Sequence, residues 1–122
     1  MKKRLTINHT EVAEIITIAL CGRLDIESVP EARQYLEKLI EEKPGAGIIL
    51  DLAELEYISS FGLSLLIGAL KETRRGGGRL VLARVKPFVD QVIDIANLKP
   101  ILKSYDSLAE AGEALKGGNK GS

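Results

Sequence analysis

Apolar and polar positions alternate at the start of the chain, and the period then changes several times. Leu5-Thr6-Ile7-Asn8-His9 alternates, the pattern of a half-exposed strand. Residues 10–13 read as a turn, and residues 14–21 (EIITIALC) as a second, better buried strand rich in β-branched side chains. The pair predicts an antiparallel hairpin. Val29, Ala32, Arg33, Leu36, Leu39 and Ile40 then fall at helical spacing, with a helix body over 31–42 ended by Pro44-Gly45. Ser28 followed three residues later by Glu31 matches a capping box, with Pro30 tolerated in the first turn. Ile48-Ile49-Leu50, broken by Asp51 and renewed at Leu52, reads as a buried strand, and 53–56 as a polar loop. Leu63, Leu66, Ile67 and Leu70 mark the core face of a second helix, closed by the glycines of 76–78. Residues 80–85 predict a strand. Pro87 opens a helix with Val89, Val92, Ile93 and Ala96 on one face, and 101–105 predict a short edge strand. Asp106-Ser107 begins a last helix over 108–115, and 117–122 have the composition of a disordered tail.

The order β-β-α-β-α-β-α-β-α, a hairpin followed by helical crossovers, predicts one α/β domain over 1–116 built on a mixed sheet. A length of 122 residues suits a single domain with a real core. With two Phe, three Tyr and no Trp, that core must be aliphatic. Seventeen basic and seventeen acidic residues cancel, which argues against an electrostatically driven nucleic-acid binder. No apolar run approaches the length of a membrane span, and no signal-type apolar segment directly follows Met1-Lys2-Lys3-Arg4. A lone cysteine, Cys21, forms no internal disulfide and fits a reducing compartment. The expectation is a soluble, cytoplasmic monomer away from membranes.

Candidate chemistry is sparse. His9 is the single histidine and Cys21 the single thiol, without a cluster of metal ligands around either. Arg74 to Arg79 with its glycines follows a helix and precedes a strand, the reverse of a phosphate-binding loop. No enzyme, metal or cofactor is expected. The notable stretch is Ser59-Ser60, where the central strand hands over to its helix. Serine there reads either as an N-cap for the first turn or as a hydroxyl reachable from outside. Opposite the core face, helical geometry places Phe61, Leu65 and Gly68, with Ser64 beside them. That patch reads either as a docking surface or as apolar surface under a neighbouring loop.

Leu50-Asp51-Leu52 through Tyr57-Ile58-Ser59-Ser60-Phe61-Gly62-Leu63 resembles the signature of STAS domains, and more narrowly that of the stand-alone bacterial anti-sigma factor antagonists. Gly22-Arg23-Leu24-Asp25 resembles a further family run that sits near the phosphorylation site. The resemblance implies a mixed sheet with helices packed mainly on one side. It also implies an acceptor serine phosphorylated by the partner anti-sigma factor, a serine kinase using its own ATP, with a phosphatase reversing the modification. By position the acceptor is Ser60. Ser59 stands where the family has Asp, and Phe61 where it has a small residue. The implied partner surface comprises Asp25, Ser59, Phe61, Gly62, Ser64, Leu65 and Gly68. Some small STAS proteins instead serve as constitutive subunits on the ATPase of a phospholipid transporter, the alternative that the two departures keep open.

Overall fold

A computed structural model describes residues 4–117. The β1 strand (Leu5–Val12) and β2 (Ile15–Leu24) form the expected antiparallel hairpin, Leu5 opposite Gly22 and Val12 opposite Ile15. Both strands run further than the alternation suggests. Ala13, at φ 57°, makes the reversal tight enough to keep the strands paired up to Val12 and Ile15. The chain continues through α1 (Val29–Glu42), β3 (Gly47–Asp51), β4 (Leu55–Ile58), α2 (Ser60–Arg75), β5 (Arg79–Ala83), α3 (Pro87–Ile95), β6 (Ser104–Tyr105) and α4 (Leu108–Gly117).

The sheet runs β1-β2-β3-β5-β6 and is parallel except for the β1–β2 pair. The long β2 strand serves two neighbours in turn. Ile15 to Ala19 pair with β3, and Gly22 to Leu24 pair with β4 across a register shift at Gly22. Alternation along the strands sends Ile16, Ile18, Leu20, Ile48, Leu50, Leu80 and Leu82 into one core, with Leu36 and Leu39 of α1, Leu66 and Leu70 of α2, and Val89 and Ile93 of α3. The opposite set, Ile49, Val81 and Ala83, packs against Ala111 of α4, with Ile15, Leu108 and Leu115 around it. Three helices thus share one face and a single short helix covers part of the other. The core is aliphatic throughout.

Several expectations need correcting. The polar stretch 53–56 contains the start of β4, whose Leu55 and Ile58 are buried. The capping box at Ser28 is not formed. The Ser28 hydroxyl accepts from the Asp25 amide at 3.0 Å and donates to the Arg23 carbonyl at 2.7 Å, so it stitches the preceding loop rather than the helix. A box-like pair occurs instead at α4, where the Ser107 hydroxyl accepts from the Glu110 amide and the Glu110 carboxylate accepts from the Asp106 amide. The expected 101–105 strand shrinks to Ser104–Tyr105, and α4 extends to Gly117. Of the expected tail, 118–122 lie outside the described residues.

Candidate functional site

Strands β2 and β4 are parallel and end side by side, so the loop after β2 and the start of α2 meet at one end of the sheet. Ser59 is the joint. Its amide donates to the Leu24 carbonyl at 3.0 Å, and its own carbonyl accepts the Leu63 amide at 2.9 Å. With an extended backbone (φ −99°, ψ 178°), its hydroxyl accepts from the Gly62 amide at 3.3 Å. Ser59 is therefore the N-cap. Ser60 is the first residue of α2, and it is exposed. The two serines divide the readings that local sequence leaves open.

Gly62 packs the first turn onto the sheet end. A Cβ there would lie 2.7 Å from the Ile58 side chain and 2.8 Å from the Leu24 carbonyl. Gly62 is buried and acts as a spacer, not as a contact surface. Leu65 must also be moved: it is only 3% exposed and belongs to the core, beneath α1. The buried stripe of α2 is Gly62, Leu65, Leu66, Ala69, Leu70 and Thr73. That stripe is broad because the helix is covered both by the sheet and by α1. Ser64 and Gly68 stay exposed, at the rim of the crevice between α1 and α2 that Arg33, Leu36 and Ile40 also line. Phe61, at 51% exposure, lies on the surface rather than under a neighbouring loop.

Asp25 sits in the loop beside Ser59. Its carboxylate accepts the amides of Glu27 (3.1 Å) and Ser28 (3.2 Å) and pairs with Arg4 at 2.9 Å. Arg4 also reaches Glu27 at 2.6 Å, and Arg23 stands 3.6 Å from Asp25. Burial pushes the Asp25 pKa up, but the Ser28 amide, the Arg4 guanidinium and the Glu27 amide together hold it below the usual carboxylate range. The loop is thus pinned by an ionised side chain.

Pattern reading alone missed an aromatic ladder at the same sheet end. The Arg23 guanidinium lies 4.2 Å over the Tyr57 ring, whose ring stacks on Phe88 at 6.0 Å between centroids. Phe88 in α3 and Ile26 in the β2–α1 loop remain 48% and 60% exposed. Together with Phe61 they add exposed apolar surface from three different segments of the chain. The available signal was Phe88 itself, a bulky residue one position off the Val89 and Ile93 stripe.

Beneath, Arg84 grips Asp51 at the end of β3 with two hydrogen bonds, 3.1 and 2.6 Å, and Asp51 also accepts the Ala53 amide at 3.2 Å. That side-chain bond, then the charge of Asp51, raises the Arg84 pKa further. Cys21 is half-buried; burial, followed by Glu54 and Asp51, pushes its thiol up, away from nucleophilic chemistry. His9 bonds Tyr35 on α1 at 2.6 Å. No group of three or more metal-ligating side chains occurs among the described residues, and no described helix is long and apolar enough to cross a membrane.

The STAS domain family model matches residues 6–111. The anti-sigma-B factor antagonist of Bacillus subtilis (strain 168) is 31% identical over 87 residues, 71% of this chain and 78% of that protein. The anti-sigma F factor antagonist of Paenibacillus polymyxa is 27% identical over 97 residues, covering 80% and 83%. The unphosphorylated structure of the anti-sigma factor antagonist SpoIIAA superposes with a TM-score of 0.78 at 25% identity, covering 92% of this chain and 97% of that one. The phosphorylated form of the Bacillus SpoIIAA gives 0.69 at 25% identity, covering 88% and 97%.

Proposed function

The chain belongs to the STAS domain family, among the anti-sigma factor antagonists, and from that premise we propose that it is itself such an antagonist, switched off by phosphorylation at Ser60. Its unmodified form docks an anti-sigma factor through the sheet end that carries Phe61 and the Asp25 loop, continued along α2 by Ser64 and Gly68, and so releases the sigma factor. The anti-sigma factor is also a serine kinase and transfers phosphate from its own ATP to the Ser60 hydroxyl, and a phosphatase restores the active form. The observation that carries this reading is the division of labour at α2: Ser59 caps, and Ser60 is exposed one residue on.

Electrostatics give the switch its direction. A phosphoserine adds about −1.5 to −2 charge. At the start of α2 the helix dipole and first-turn amides favour an anion, so the domain itself stays folded. In a complex the same charge is buried against a partner, and an uncompensated buried charge costs several kcal/mol. Affinity falls while stability does not.

Intact-mass spectrometry after incubation with ATP and an anti-sigma factor kinase from the same genome tests this. The wild type gains one phosphate and Ser60→Ala gains none. Phosphate on Ser60→Ala moves the acceptor elsewhere. Stable co-purification with a transporter ATPase, with no phosphate gained, replaces the switch by a constitutive transporter subunit.

A further inference from the structure

Strand β1 is the long free edge of the sheet: β2 lies on one side of it, and no described strand lies on the other. The other edge strand, β6, is two residues long. β1 runs for eight residues, without proline, lysine or bulge, the devices that usually blunt an edge. The sequence leads to the expectation of a monomer, but this edge does not.

The register fixes which backbone groups face outward. The Gly22 amide donates to Glu54 on the far side of β2, so Leu5 opposite Gly22 is a pair without hydrogen bonds. Antiparallel pairs alternate, so Thr6, Asn8, Thr10 and Val12 bond to β2, and Leu5, Ile7, His9 and Glu11 turn their N–H and C=O groups to the open edge.

We propose that this edge pairs with the same edge of a second copy, antiparallel about a two-fold axis through Asn8. A two-fold axis normal to the sheet keeps like faces together, so opposing residue numbers must add to an even total. Of the even registers, only the one centred on Asn8 pairs all four outward residues: Leu5 with Glu11 and Ile7 with His9, each twice. Centring on His9 pairs only three of them and sets two imidazoles face to face. In the Asn8 register the face that α4 covers only in part gains Thr6–Thr10 contacts on both sides of an Asn8–Asn8 contact. Such small polar cross-strand pairs suit a solvated sheet face. Thr6, Asn8 and Thr10 are all exposed in the single chain, so on that face the edge is open to a second copy. A two-strand contact is small, so the dimer forms at high protein concentration.

The full-length protein tests this directly. Sedimentation equilibrium of the wild type gives a mass that rises from 13.2 kDa towards twice that value as the concentration approaches about 1 mM. Asn8→Lys sets two like charges on the axis and weakens association roughly fivefold. In a Cys21→Ser background, Asn8→Cys with oxidised glutathione gives a disulfide-linked dimer about tenfold or more faster than Thr6→Cys, because pairing concentrates the axial thiols. Two Thr6→Cys thiols sit roughly 13 Å apart along the strands, too far to bridge. A mass fixed at 13.2 kDa across that range overturns the proposal. So does a dimer indifferent to Asn8→Lys, or equal cross-linking by the two cysteine variants.

Discussion

The Ser59 hydroxyl accepts the Gly62 amide at 3.3 Å, across the first turn of α2. That contact separates two neighbouring serines that look interchangeable. Ser59→Ala loses the cap and lowers stability by about 1 kcal/mol. Ser60→Ala, at an exposed first-turn position, changes stability by less than about 0.5 kcal/mol. Urea unfolding of the two variants checks both values; equal losses would make the capping assignment wrong.

Gly62 and the Leu24 carbonyl leave no room for a methyl group. Gly62→Ala therefore forces α2 away from the end of β2 and costs about 1–3 kcal/mol despite alanine's better helix propensity. Gly68→Ala is the control, because nothing lies within 4 Å of a Cβ there. It stabilises by about 0.5–1 kcal/mol. Thermal melts of the two variants should move in opposite directions.

Leu65 lies in the core rather than on the proposed docking face. Leu65→Ala costs about 2–5 kcal/mol. Phe61→Ala, at a half-exposed side chain, costs far less but weakens partner binding. Chemical denaturation together with a binding titration separates the two. A Leu65→Ala protein as stable as wild type contradicts the packing.

Arg84→Ala strands the Asp51 carboxylate, which is 8% exposed, without its guanidinium. Breaking a buried pair costs about 3–5 kcal/mol, and because the Arg84 side chain is 45% exposed the expected loss is smaller, about 1–3 kcal/mol. Adding Asp51→Asn to Arg84→Ala recovers part of it, since no charge is then left unpaired. A double-mutant cycle in urea reads the coupling.

Asp25 is held below its ordinary pKa by the Ser28 and Glu27 amides and Arg4, against burial. A carboxylate depressed in the folded state stabilises fully above its unfolded pKa and loses that contribution as pH falls through its folded pKa. Stability should therefore decline on the acid side below the ordinary carboxylate range. Asp25→Asn should flatten that decline while leaving the slope near neutrality unchanged. Stability curves from about pH 7 down to about pH 2 decide it.

Periodicity carried most of the fold, because the hairpin, α1 and β3 each bury one stripe or run against a neighbour. It failed where tertiary contacts widened or shortened a pattern. The α2 stripe is read from its leucines and isoleucines, yet the contact with α1 is marked by Leu65 and Ala69 and the close approach to the sheet end by Gly62, the last two too small to register as hydrophobic. β4 has only four residues and one inward–outward alternation, Leu55 against Glu56, too little to distinguish from a loop. Ser28 has the right neighbour for a capping box, but its hydroxyl oxygen accepts from the Asp25 amide, three residues back, and so serves the loop rather than the first turn of α1. At the site, the proposed acceptor position was legible as a serine pair at a strand–helix junction. The aromatic ladder was not, since Arg23, Tyr57 and Phe88 come from three separate elements.

The pairing of β2 with β3 and β4 also governs how the protein comes into being. Ile15 meets Gly47, and Leu24 meets Ile58, so every parallel bond of β2 waits for a helix and a strand still to be made. Such sequence-distant pairing gives a high contact order and slow assembly. A nascent chain that has just released Leu24 from the ribosome holds a hairpin and nothing to present. The Ser60 hydroxyl acquires its frame only when the strand ahead of it has docked on one made more than thirty residues earlier. Half-made copies are thereby kept silent towards a partner.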